Sequence, residues 1–179
     1  MHTFYPTTHN INILLNKVGE IMVLKFDLKK LIKNLAIPLI VGFVSGFLTK
    51  DAVAEFNATA IKPFFIPPGW LFPVVWTILY ILMGISAYLI ETSSSGKNTR
   101  FSLILYYIQL FFNFVWPFIF FAGEMYLLAF IWIIILWILI IATILEFYKI
   151  NKTAAFLMFP YIIWVTFAAV LNFSIYLLN

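Results

Sequence analysis

Residues 125–145 read MYLLAFIWIIILWILIIATIL, an uninterrupted run of 21 positions with no charged side chain. As a helix at about 1.5 Å per residue, such a run is about 30 Å long, the thickness of a bilayer's hydrocarbon core. Four more apolar stretches of similar reach lie at residues 31–49, 70–90, 101–122 and 154–178. None alternates polar and apolar as a membrane barrel strand does, so each is expected to be a helix that satisfies its own backbone in lipid. Composition agrees: 64% of the 179 residues are hydrophobic and 10% charged, against about 25% charged in soluble domains. The expected fold class is an all-α integral membrane protein, a bundle of five transmembrane helices.

Basic residues orient the bundle. With five spans, the N-terminal segment, the second loop and the fourth loop share one side. They carry Lys17, Lys25, Lys29, Lys30, Lys33, Lys97, Arg100, Lys149 and Lys152, whereas the other side carries only Lys50 and Lys62. The positive-inside rule predicts a cytoplasmic N-terminus. The same asymmetry accounts for the net charge of +4 without a nucleic-acid partner. Residues 1–30 form a separate segment, polar and mixed up to residue 21 and lacking the apolar core of a signal peptide. They are expected to be a disordered tail, or to precede a true start at Met22; both histidines, His2 and His9, lie there. The five-helix domain is placed at residues 31–179.

Several chemistries are excluded by what the spans lack. There is no cysteine, hence no disulfide, thiol nucleophile or cysteine-held metal. No histidine or carboxylate pair lies deep in a span, which removes the usual haem ligand and the usual proton path. No metal site is expected.

What the spans do carry is aromatic and amide. Gln109, Asn113 and Trp116 recur at i, i+4 and i+7, one stripe of a helix. Trp164, Ala168 and Asn172 form a second stripe; Trp76, Tyr80 and Gly84 form a third. Amides are costly in lipid unless paired, so the stripes are expected to face the bundle interior. Each such residue has a plain structural reading too: tryptophan as an interface anchor, amides as interhelical glue. Trp76 and Trp116 lie well inside their spans, where the anchor reading is weakest.

Prolines shape these helices. Pro67, Pro68 and Pro73 fall before or within a first turn, where a missing N–H is harmless. Pro117 and Pro160 remove the bonds to the carbonyls of Asn113 and Phe156 and predict kinks or freed carbonyls. Pro38 predicts a mild kink in the first span. Gly42 and Gly46 form a GxxxG pair on that span, a candidate for close helix packing and for a dimer face; an aromatic face of the third span is the other dimer candidate. The loop at residues 50–69 ends in the stiff, apolar AIKPFFIPP and is expected to be a lid over one end of the bundle.

Three motifs, in order, resemble the TspO/MBR family of tryptophan-rich sensory and translocator proteins. They are Lys62, Pro63, Phe65, Pro67 and Pro68 with Phe72, Val75, Trp76, Leu79, Tyr80, Met83 and Gly84; then Gln109, Leu110, Asn113, Trp116, Phe120 and Phe121; then Pro160, Tyr161, Trp164, Phe167, Ala168, Leu171 and Asn172. The likeness covers residues 35–178. It implies a five-helix bundle, often a homodimer, with the first loop lidding a pocket. By motif position the pocket lining is Trp76, Gln109, Asn113, Trp116, Trp164 and Ala168. The resemblance implies a membrane receptor or sensor for protoporphyrin IX and other flat lipophilic ligands, with no cofactor required. It also implies two alternatives: a transporter of such molecules, or light-dependent porphyrin breakdown with Trp76 and Trp164 as the catalytic pair. The expected location is a bacterial or archaeal cell membrane. Asn57 stands where the family's first loop usually has tyrosine, and Tyr176 lacks the basic residue that completes the animal sterol motif.

Overall fold

Asp27 opens the first helix by accepting the Lys30 N–H at 3.0 Å, a side-chain cap for an otherwise unpaired donor. The computed structural model describes residues 27–94 and 98–179. The expectations for residues 1–26 and for Lys97 lie outside the described residues. Helix α1 runs Leu28–Thr59, α2 Leu71–Glu91, α3 Thr99–Pro117, α4 Tyr126–Ile150, α5 Lys152–Leu157 and α6 Phe159–Leu178. A wide π-helical turn, Phe118–Ala122, extends α3. With that turn, and with α5 and α6 taken together, five helical segments among the described residues are long and apolar enough to cross a membrane. The expected five-span, all-helical class is what the structure has.

The first helix overruns its apolar segment. It has 32 residues, about 48 Å at the helical rise. Residues 50–59, expected to be loop, form its last turns. KDAVAEFNAT contains no glycine or proline, and Ala52, Ala54 and Glu55 favour helix. The chain leaves the helix at Ala60, which is extended with its N–H still bonded to Phe56, just ahead of Pro63. The segment expected to be a lid is therefore a helical extension plus a connector of residues 60–70. Phe56 docks the extension: its ring lies 5.3 Å from Phe120 and 5.3 Å from Phe121.

Three prolines leave a visible trace. Pro38 sits inside a continuous α1 and cannot donate to the Asn34 carbonyl. Gly84 of α2 packs on that carbonyl; a Cβ at position 84 would lie 2.7 Å from the Asn34 oxygen and 2.8 Å from the Leu35 Cα. Pro117 closes α3, and the wide turn after it carries the Gly123 N–H back to the Phe118 carbonyl at 2.8 Å. Nearby carbonyls take side-chain donors: Trp132 Nε1 reaches Phe112 O at 2.8 Å. Pro160 stands in the first turn of α6, directly after the break at Met158.

The glycine pair of α1 splits. A Cβ on Gly42 would strike the Tyr80 ring at 2.1 Å, whereas Gly46 faces open space. Gly42 thus serves α1–α2 packing. Leu79, Met83, Ala87 and Ile90 bury one stripe of α2 within the main core. Phe43, Phe47, Ile131, Ile138 and Ile163 are exposed, the outward apolar surface that a bilayer covers.

An aromatic and amide site inside the bundle

The three predicted stripes meet. Tyr80 on α2 donates its hydroxyl to Asn113 Oδ1 at 2.7 Å. Asn113 Nδ2 donates to the Tyr161 hydroxyl at 3.0 Å, and that hydroxyl donates to Gln109 Oε1 at 3.0 Å. All four residues are buried. Two amides on one helix and hydroxyls on two others thereby pair across the bundle.

Aromatic rings flank this network. Trp76 stacks on Tyr80 with centroids 5.5 Å apart and meets Tyr161 edge-on at 6.1 Å. Trp164 lies between Phe72, at 5.8 Å, and Phe167, at 5.5 Å. These separations suit the tilted and offset geometries that aromatic quadrupoles prefer. Ala168, half-buried one turn beyond Trp164, packs against the same core.

Trp116 belongs to a neighbouring cluster. Its Nε1 donates to Asn172 Oδ1 at 3.2 Å, and Asn172 Nδ2 donates to the Tyr126 carbonyl at 2.9 Å. Its ring stacks on Phe120 at 4.9 Å. The structure thus brings Trp76, Gln109 and Asn113 into one network, sets Trp164 and Ala168 beside it, and ties Trp116 to the aromatic group under the α1 extension.

Two N–H donors here are buried without a partner among the described residues: Gln109 Nε2 and Trp164 Nε1. Buried donors of this kind call for an acceptor. Among the described residues no group of His, Cys, Asp and Glu could hold a metal. Two open grooves mark the outer surface and contain none of the six predicted lining residues. One, about 330 Å³, is lined by Ile37, Val41, Tyr107, Leu110, Phe111 and Phe114; the other lies where α4 begins, beside Tyr176 and Asn179. Inside the bundle the rings pack on one another.

Tyr161 and Tyr80 carry more of the site than the tryptophan pattern suggested. The signal was present: Tyr161, Trp164, Ala168 and Asn172 fall at i, i+3, i+7 and i+11, so Tyr161 extends the α6 stripe.

A five-span membrane bundle whose interior is built from tryptophan, tyrosine and amides defines the class. The chain belongs to the TspO/MBR family, whose family model matches residues 34–178. It is 39% identical over 142 residues to the tryptophan-rich protein TspO of Chlorobaculum tepidum, covering 79% of this chain and 90% of that one. It is 39% identical to the Archaeoglobus fulgidus protein of the same name, covering 86% and 99%. Identity to the translocator protein of Bos taurus is 30%, covering 78% and 84%.

Proposed function

We propose that this integral membrane protein is a receptor or sensor that binds porphyrin-like tetrapyrroles and other flat lipophilic ligands among the interior aromatics. Relatives named tryptophan-rich and translocator proteins support a sensor or transporter role in general terms. The observation that carries the finer reading is the pairing of ring faces with unfilled donors. Trp76, half-buried and stacked on Tyr80, carries the ring face that a ligand would take on displacing its packed neighbours, and Gln109 Nε2 and Trp164 Nε1 are buried N–H groups with no partner among the described residues. A metal-free porphyrin that carries carboxylates fits both demands: its face stacks, and its carboxylates accept hydrogen bonds.

Titration with protoporphyrin IX, followed by tryptophan quenching, tests this. Trp76→Phe and Trp164→Phe are expected to weaken binding about tenfold each, the loss of one good aromatic contact. Affinity unchanged in both variants would remove the site. For the transporter alternative, liposome flux of the porphyrin without retention by the protein is the discriminating result.

A further inference from the structure

The connector of residues 60–70 is tied to α6 by a side chain that grips a peptide unit. Asn179 Oδ1 accepts the Ile61 N–H at 3.0 Å, and Asn179 Nδ2 donates to the Ile61 carbonyl at 3.0 Å. One amide thus satisfies both backbone groups of one residue, as a neighbouring strand would. A third bond, Nδ2 to the Ile175 carbonyl at 2.9 Å, fixes that side chain on the last turn of α6.

We propose that Asn179 is a latch that holds the connector closed over the aromatic interior, and that its release gates ligand exchange. The gating half rests on the reading under Proposed function; the latch itself does not. The rest of the connector is bonded locally. Ile66 N–H reaches Pro63 O at 3.1 Å, Leu71 N–H reaches Pro68 O at 2.9 Å, and Lys62 Nζ reaches Asn57 O at 2.7 Å. Pro63, Pro67 and Pro68 stiffen the segment, so it moves as a flap. Its other hold on α6 is apolar: Phe65 meets Phe167 at 6.5 Å, and Phe167 in turn touches Trp164. Releasing Ile61 loosens the flap that rests on the ring beside Trp164. The latch bonds are exposed, so water replaces them at small cost. A tie of that strength suits a closure that must open.

The test uses the full chain in nanodiscs. In Asn179→Ala, hydrogen–deuterium exchange of the segment 60–66 is expected to accelerate about tenfold, the value of one or two ordinary hydrogen bonds. Exchange in α4 should stay as in the wild type, which shows that the bundle is intact. Asn179→Asp keeps the acceptor for the Ile61 N–H but turns the donor into an oxygen facing the Ile61 and Ile175 carbonyls, and should accelerate exchange too. Unchanged exchange in both variants overturns the latch. Protoporphyrin IX release, read by stopped-flow tryptophan fluorescence, should quicken about tenfold in the same variants. Faster exchange with unaltered release overturns the gating role. No protoporphyrin binding by the wild type removes the porphyrin reading, while the exchange result still decides the latch.

Discussion

The two ends of the bundle are fastened by different chemistry. At the basic end, Lys33 Nζ and Asn34 Nδ2 each lie 2.6 Å from a different oxygen of Glu91, which joins the start of α1 to the end of α2. Asn34 is buried, and the same Nδ2 also reaches the Lys30 carbonyl at 2.8 Å. At the opposite end the two principal ties are neutral, the Asn179 grip on Ile61 and the rings around Phe56, although the Lys62 ammonium also lies over the Phe56 ring at 5.6 Å. Charge-assisted bonds to a shielded amide are roughly twice as strong as neutral ones. The difference teaches which end is built to stay shut. On the latch proposal the end bearing the connector is the one that opens, and the charge-assisted α1–α2 seam at the basic end stays closed.

The largest expected effect breaks the fixed end. Gly84 lies against α1 backbone, with no flexible side chain able to yield in front of the Asn34 oxygen and Leu35 Cα. Gly84→Ala is expected to destabilise the protein by about 2–3 kcal/mol through forced separation of α1 and α2. Gly46→Ala, where a Cβ meets nothing within 4 Å, is expected to stay within about 0.5 kcal/mol of wild type. Thermal unfolding in detergent compares them; equal melting temperatures for the two variants would refute the close-packed seam.

The next effect separates the parts of the clamp. Glu91→Leu removes the acceptor of a buried amide donor and is expected to cost about 1–2 kcal/mol. Lys33 is about half exposed, with side-chain accessibility of 49%, so Lys33→Met should cost no more than about 0.5 kcal/mol after solvent screening. The reverse ranking in the same unfolding assay would show that the ion pair, and not Asn34, holds this end.

These contrasts also mark what the chain's letters disclose. The five spans are legible because 21 uncharged residues in a row leave few other solutions. The convergence of Gln109 and Asn113 was legible because amides must find partners and share a helical stripe. Their actual partners, Tyr80 and Tyr161, depend on helix rotation and depth, which periodicity on one helix does not specify. The helical extension at residues 50–59 was hidden because its polar side chains resemble a loop, while its anchor is a single buried Phe56. Gly42 and Gly46 are alike in sequence; only the neighbour, the Tyr80 ring, tells them apart.

An intermediate effect probes the interior between the two ends. Tyr161→Phe leaves Asn113 Nδ2 without its acceptor and Gln109 Oε1 without its donor. The expected loss is about 1 kcal/mol, within the range for interhelical hydrogen bonds in membranes. Protoporphyrin IX affinity should fall alongside, because the freed amides turn away from their present geometry. A stability equal to that of wild type would mean that the network contributes nothing to holding α2, α3 and α6 together.

The smallest effect lies at the opening end. Glu124, in the tight connection between α3 and α4, has a φ of 51°, the left-handed region that costs an L-residue about 1 kcal/mol. Glycine adopts it freely but gives up more chain entropy on folding. Glu124→Gly is therefore expected to gain a net of about 0.5 kcal/mol, or about 1–2 °C in melting temperature. Glu124 lines the outer groove that Asn179 also lines, but the Asn179 bonds run to Ile61 and Ile175, so this gain should come without any change in hydrogen exchange at residues 60–66. A drop in melting temperature would mean that the Glu124 side chain itself helps to fasten this end, and the contrast between a charge-held end and a neutral one would have to be redrawn.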